Sequence, residues 1–165
     1  SGDRQLTLSG TLALGSSHNV NFKANDGAAA NGTILISGSI TGTGSSGVVV
    51  DSSYDNGLVI LSGANSYAGS TTISAGTLQI GNGGTTGNFG SGSVVNNSAL
   101  VFNRSDALTV GNLISGTGTL AQDGGADLNP TAANTFRGLT RVNSGTHTPG
   151  NALALQNNGP QTDRA

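Results

Sequence analysis

An all-β parallel solenoid of about seven short coils, with no significant helix, is the fold this sequence predicts. First, its aliphatic residues fall in short clusters, among them Leu12/Leu14, Val20/Phe22, Ile34/Ile36, Val48/Val50, Leu78/Ile80 and Leu100/Phe102. Most are i, i+2 pairs, the period of a strand with one buried face. Second, 28 of the 165 residues are Gly, the acids are all Asp, and only 8% of residues are charged. That composition supplies turns and exposed strand positions rather than helices. Third, a three-strand motif returns 69 residues after its first occurrence. Gly- and Ser-rich chains of low charge can be disordered, but such chains lack regularly spaced branched aliphatics.

The motif is LVILSGANSYAGSTTISAGTLQIG, residues 58–81. Shifted by 69, its Ala64, Asn65, Gly69, Thr71, Gly76, Thr77 and Gly81 meet Ala133, Asn134, Gly138, Thr140, Gly145, Thr146 and Gly150, while Tyr67 meets Phe136. A second echo, ITGTG from Ile40 against ISGTG from Ile114, is spaced by 74, which implies a small insertion between the two. A period near 70 is too long for one solenoid turn but fits about three turns of ~20 to 25 residues. Stacked at the ~4.8 Å strand spacing, such turns bury columns of Leu, Ile and Val while Ser, Thr and Asn face water. A β-sandwich also uses many short strands, yet it gives no reason for a repeated three-strand unit.

Taken in order, residues 1–57 supply the N-terminal coils, with apolar pairs from Leu6/Leu8 to Val48/Val50. Residues 58–81 form the clear unit, in which Leu58, Ile60, Ile73, Leu78 and Ile80 are expected to point into the stack. Asn65, Gly69 and Gly76 are expected to turn its corners. Residues 82–126 carry intermediate coils, marked by Leu100/Phe102 and Leu108/Val110. Residues 127–150 form a degenerate second unit, in which Leu61, Leu78 and Ile80 are replaced by Pro130, His147 and Pro149. Pro cannot donate to a ladder and an inward His needs a partner, so stacking is expected to become irregular after Pro130. Residues 151–165 read as a polar, disordered tail, before which regular coils stop.

Leu61, Gly63, Asn65, Tyr67, Gly69, Thr71, Ile73, Gly76, Leu78, Ile80 and Gly81 give the pattern L-x-G-x-N-x-Y-x-G-x-T-x-I-x-x-G-x-L-x-I-G. On these residues the chain resembles the autotransporter-associated β-strand repeat. With the flanking ISGSITGTG and LISGTGTLAQ the likeness covers most of residues 34–155. The resemblance implies a right-handed parallel β-helix from the passenger region of a secreted or surface-displayed bacterial protein. It further implies export through the outer membrane by a C-terminal translocator barrel in the full-length chain. Stalk and adhesin roles follow from the same likeness, with host-surface, matrix or glycan ligands as partners.

Chemistry-bearing residues are sparse. GTGSSG at 42–47 satisfies G-x-G-x-x-G, but a phosphate cradle needs strand, turn and helix, and the strand-like VVVDSS follows here, so a Gly-rich corner is expected. Asp51 and Asp55 recur as Asp123 and Asp127, each pair four apart. Paired carboxylates could serve glycosidic cleavage or hold Ca²⁺. Their recurrence before both units favours corner capping, since a catalytic centre is single whereas a corner returns with every coil. His18 and His147 belong to no Ser/His/Asp arrangement, and Asn31, Asn96 and Asn103 begin N-x-S/T triplets that this composition produces by chance. Tyr67 is expected to pack inside, because Phe136 matches it without a hydroxyl. No catalytic, cofactor-binding or metal site is therefore assigned, and no cofactor is expected.

The six basic residues, Arg4, Lys23, Arg104, Arg137, Arg141 and Arg164, are scattered and aromatics are 4%, which argues against nucleic acid as a partner. No apolar run approaches the ~18 residues of a membrane span, so membrane insertion by this segment is not expected. With no Cys, disulfides and thiolate metal sites are excluded. The opening SGDRQLTL has no leader pattern, and the chain is expected to be a piece of something longer. The expected function is a non-enzymatic passenger fragment, a β-helical stalk or adhesion surface. The alternative is a β-helix polysaccharide-degrading enzyme, a glycoside hydrolase or lyase, which should bring several charged side chains together in one groove.

Overall fold

The structure, a computed structural model, describes residues 5–24, 32–52, 57–148 and 150, together with the strand at 162–163. The first turn holds β1 (Gln5–Leu8), β2 (Leu12–Ala13) and β3 (Val20–Phe22). The second repeats that plan with β4 (Thr33–Ile36), β5 (Ile40–Thr41) and β6 (Val48–Asp51). Then come β7 (Leu58–Leu61) with β8 (Thr71–Ala75), and β9 (Thr77–Ile80) with β10 (Val94–Asn96). The fifth turn holds β11 (Ala99–Phe102), β12 (Leu108–Val110) and β13 (Ile114–Ser115). Sparser turns follow, with β14 (Thr119–Gln122), β15 (Asp127–Pro130), β16 (Thr140–Val142), β17 (Thr146–His147) and β18 (Thr162–Asp163).

Every strand pairing among the described residues is parallel, as winding in one direction requires. The first column is an eight-stranded sheet, β1-β4-β7-β9-β11-β14-β16-β18, and the second a five-stranded sheet, β3-β6-β8-β10-β13. About five turns carry strands of both and are the regular solenoid, fewer than the expected seven, because the second column has no described strand beyond β13. A third face is interrupted. It holds β2-β5 at one end and β12-β15-β17 at the other, and the third and fourth turns cross it without a strand.

Register in the first column stacks like on like. Ile34, Val59, Leu78, Leu100 and Leu120 form one inward row, and Ile36, Leu61, Ile80 and Phe102 the next. Val59, Leu61, Leu78, Ile80 and Leu100 are fully buried, which stabilises by about 1.5–3 kcal/mol for each side chain of this kind. The second row passes through Gln122, whose Nε2 donates to the carbonyls of Gly124 and Ala126, and continues to Val142.

The expected inward set needs one correction. Ile73, Leu78 and Ile80 are in the core, but Leu58 and Ile60 are not part of its cluster; Val59 and Leu61 take that place. Four consecutive apolar residues carry no alternation, so phase comes from the neighbours. The pairs Ile34/Ile36 and Leu78/Ile80 select Val59/Leu61, which leaves Ile60, buried at 6% exposure but on the opposite side of the strand, in the row between Leu35 and Gln79.

Coils shorten along the chain. Bonds between neighbouring coils span 28 residues at Ala24/Ser52, 25 at Ile40/Asn65, 23 at Asn65/Asn88, 22 at Gly90/Asn112 and 20 at Ile114/Asn134. This explains the unequal echoes. Asn65 caps Ile40 and Asn134 caps Ile114, and the coil between each pair has lost five residues, the difference between spacings of 74 and 69.

Pro130 does not end the stack. It closes β15 opposite Val110, and the bond at that step is donated by the N–H of Thr131 to the Val110 carbonyl, so the missing proline N–H costs nothing toward β12. The first column runs on through β16, and Thr162 pairs with Arg141. Residues 151–161, read as tail, lie outside the described ones, as does Pro149.

Candidate functional site

The interrupted third face is held together by asparagine side chains in place of a ladder. Asn65 is buried, and its Oδ1 accepts from the N–H of Ile40 in the preceding coil at 2.8 Å. The next coil reciprocates. Asn88 Oδ1 accepts from the Asn65 N–H at 2.9 Å, Asn88 Nδ2 donates to the Asn65 carbonyl at 2.8 Å, and Asn65 Nδ2 donates to the Asn88 carbonyl at 2.8 Å. One coil further on, Asn112 Nδ2 donates to the carbonyls of Gly90 and Gly92. A side-chain amide copies the donor and acceptor of a peptide group, so buried backbone at a corner is satisfied without a strand.

Two glycine positions make the corner possible in both repeat copies. Gly76 and Gly145 have φ of 80° and 74°, which other L-residues adopt rarely. At Gly69 and Gly138 a Cβ would run into the carbonyl oxygen of Ser45 or Gly118 in the coil below.

Between the third and fifth turns this face opens into a cleft of about 400 Å³, within the range of small-molecule sites. Its floor is apolar, from Ile80, Phe89, Leu108 and Val110. Phe89 is fixed there by an edge-to-face contact with Phe102, centroids 5.9 Å apart at 88°. The rim is hydroxyl and amide, from Ser66, Ser91, Thr109 and Asn112, and no lining residue is charged. Below it Tyr67 is fully buried, and its hydroxyl shares a 2.6 Å hydrogen bond with Thr71 Oγ1. Burial pushes the Tyr67 phenol above its ordinary pKa, partly offset by the bonds to Thr71 and to the Gly90 backbone.

The exposed stretch 82–86 beside this face is held by Arg104. Its guanidinium bonds Asp106 through Nε and Nη2 at 2.9 and 2.8 Å and donates to the carbonyls of Gly87 and Thr85. The Arg104 side chain is 13% exposed, so the pair ties a loop down and presents no free cation.

The residues weighed from the sequence do not converge. Asp51 pairs with Lys23 at 3.3 Å, Asp123 accepts from Asn143 at 2.7 Å, and Asp127 accepts from Thr146; Asp55 lies outside the described residues. Among the described residues no three His, Cys, Asp or Glu side chains gather in a group able to hold a metal. GTGSSG sits between β5 and β6, a strand–turn–strand context. His18 is exposed, and His147 is half-buried in β17. Asn96 is fully buried, its Nδ2 donating to the Thr119 carbonyl; Asn103 is half-buried, and Asn31 lies outside the described residues. Tyr67 and Phe136 are both packed inside, with no exposed surface. Asn88 and Asn112 were missed; the signal was a Gly-Asn pair one coil-length beyond Asn65 and again one beyond that.

Fold and corner define a parallel β-solenoid with amide-capped coils. Residues 55–80 match the family model described as Passenger-associated-transport-repeat, the segment where the clear unit was read. A relative named Adhesin BmaC autotransporter, from Brucella suis biovar 1 (strain 1330), is 46% identical over 87 residues. The match covers 53% of this chain and 2% of the relative, so the chain spans a small part of that protein's length. No solved structure matches. The resemblance read at 61–81 is borne out: residues 55–80 carry an autotransporter passenger repeat.

Proposed function

We propose that this chain is a non-enzymatic segment of a surface-exposed or secreted autotransporter passenger, a β-helical stalk whose interrupted face serves as an adhesion surface. The observation that carries the proposal is the passenger repeat at 55–80 inside a stack whose third face opens into an uncharged cleft. Support against the polysaccharide-degrading alternative comes from the carboxylates. Asp51, Asp123 and Asp127 are each engaged with Lys23, Asn143 or Thr146, whereas a glycosidase needs two carboxyls facing one bond. Export through the outer membrane by a translocator barrel elsewhere in the full-length protein belongs to the same proposal.

The test couples the purified chain to beads and measures their retention on host-cell monolayers and matrix proteins, alongside release of reducing ends from a polysaccharide panel. Retention above bare beads with no sugar release is expected. Sugar release that survives repurification would sink the non-enzymatic reading, and no retention on any surface would reduce the segment to a spacer.

A further inference from the structure

We propose that the cleft on the interrupted face binds an uncharged saccharide. This deepens the adhesion reading above and rests on it.

The chemistry of the walls selects the ligand class. An anion or a cation buried in this cleft would find no counter-charge, because none of the lining residues is ionisable at neutral pH. A purely apolar ligand would strand the rim. Ser66, Ser91 and Thr109 are exposed, and no hydrogen bond to another described residue occupies their hydroxyls. Hydroxyls both donate and accept, as sugar hydroxyls do. Asn112 uses its Nδ2 on Gly90 and Gly92, which leaves its Oδ1 as an acceptor oriented by those two bonds. Under this rim the half-buried Leu108, backed by Ile80 and Val110, offers an apolar floor of the kind that covers part of the C–H face of a pyranose ring.

Backbone placement points the same way. β12 is the edge of its sheet, and the bond from the Thr131 N–H to the Val110 carbonyl shows that Val110, and by alternation Leu108, directs its peptide groups at β15. Alternation turns the peptide groups of Thr109 toward the cleft, where no strand pairs with them. One such residue can contact a small polyol but is too short an edge for added peptide strands, which need several alternating bonds. The walls are also fixed before any ligand arrives, through the reciprocal Asn65–Asn88 bonds and the Phe89–Phe102 contact. A preformed site lowers the ordering cost of binding.

The experiment is an ¹⁵N NMR titration of the 165-residue chain with lactose, maltose, cellobiose and N,N′-diacetylchitobiose, with 3′-sialyllactose as a charged control. Expected is saturable movement of the Ser66, Ser91, Thr109 and Asn112 amide signals with at least one neutral disaccharide, at a Kd on the order of millimolar. Ser91→Trp, which fills the cleft from its exposed rim, should weaken binding by about tenfold or more, and Thr109→Val by about threefold. Thr109→Val keeps the β-branched shape of a strand residue, so it carries the test if the Trp variant fails to fold. Movement with sialyllactose alone, no movement with any of the four, or undiminished binding in both variants would overturn the assignment. Bead retention on untreated cells is measured in parallel. If retention persists while the titration is silent, the saccharide site is wrong and the adhesion reading stands; if both fail, the adhesion reading falls too.

Discussion

At residue 67 a buried tyrosine shares a hydrogen bond with Thr71. In the second repeat copy Phe136 fills the same place, equally buried, and Thr140 Oγ1 is left inside without a hydrogen-bond partner among the described residues. The two copies agree on their corners, since Asn65 and Asn134 each cap the amide of an isoleucine one coil earlier. They differ in the strands between. Leu78 is fully buried in a four-residue strand, whereas the aligned His147 is half-buried in a two-residue one. A corner residue satisfies fixed backbone groups and has few substitutes; a strand position asks only for volume and tolerates drift.

The largest effect expected from this contrast is at Leu78. Leu78→Ala should cost about 2–5 kcal/mol in urea denaturation, and His147→Ala about 1 kcal/mol or less; equal losses would mean the second copy is packed as tightly as the first. Next is Asn65→Ala, which strands the Ile40 N–H and the Asn88 carbonyl at about 1–3 kcal/mol each. If its cost matched an exposed Asn→Ala change, the capping role would be refuted. Tyr67→Phe should cost about 1–2 kcal/mol by leaving Thr71 Oγ1 as orphaned as Thr140.

The same variant has a pH signature. Burial holds the Tyr67 phenol protonated in the folded chain while the unfolded chain ionises near the ordinary value of about 10. Its contribution is therefore complete below about pH 10 and is lost as pH climbs from there toward the folded value. Tyr67→Phe should flatten that alkaline decline in stability measured by circular dichroism. The smallest effect is a gain. Phe136→Tyr should stabilise by about 0.5–1.5 kcal/mol by giving Thr140 the partner that Thr71 already has; a loss would show that the pocket around Phe136 has closed over the space for the hydroxyl.

Much of the stack was legible because it repeats. Ile34/Ile36 and Leu78/Ile80 announced inward rows by their period of two, and Asn65, Gly69 and Gly76 announced corners by returning at 134, 138 and 145. Where alternation vanished, at Leu58 to Leu61, phase could not be read from the segment and had to come from strands above and below it. That Pro130 itself sits in a strand was not legible, because a proline's cost depends on which way its absent N–H would point. The cleft was harder to foresee. It arises where two turns omit a strand, and Asn88 and Asn112 signal that only once the coil length is known.

Unequal coils have a further consequence. In a stack of similar rungs, a strand can pair with the wrong neighbour at little energetic penalty, and repeat proteins misassemble in this way. Here the distance to the adjoining rung falls from 28 residues to 20 along the chain, so a strand that skips or doubles a rung arrives with slack or a shortfall at its next corner. Each rung thereby carries an address written in chain length, and a misplaced one also forfeits its asparagine cap. Equalising the lengths would remove that address while leaving every buried side chain in place.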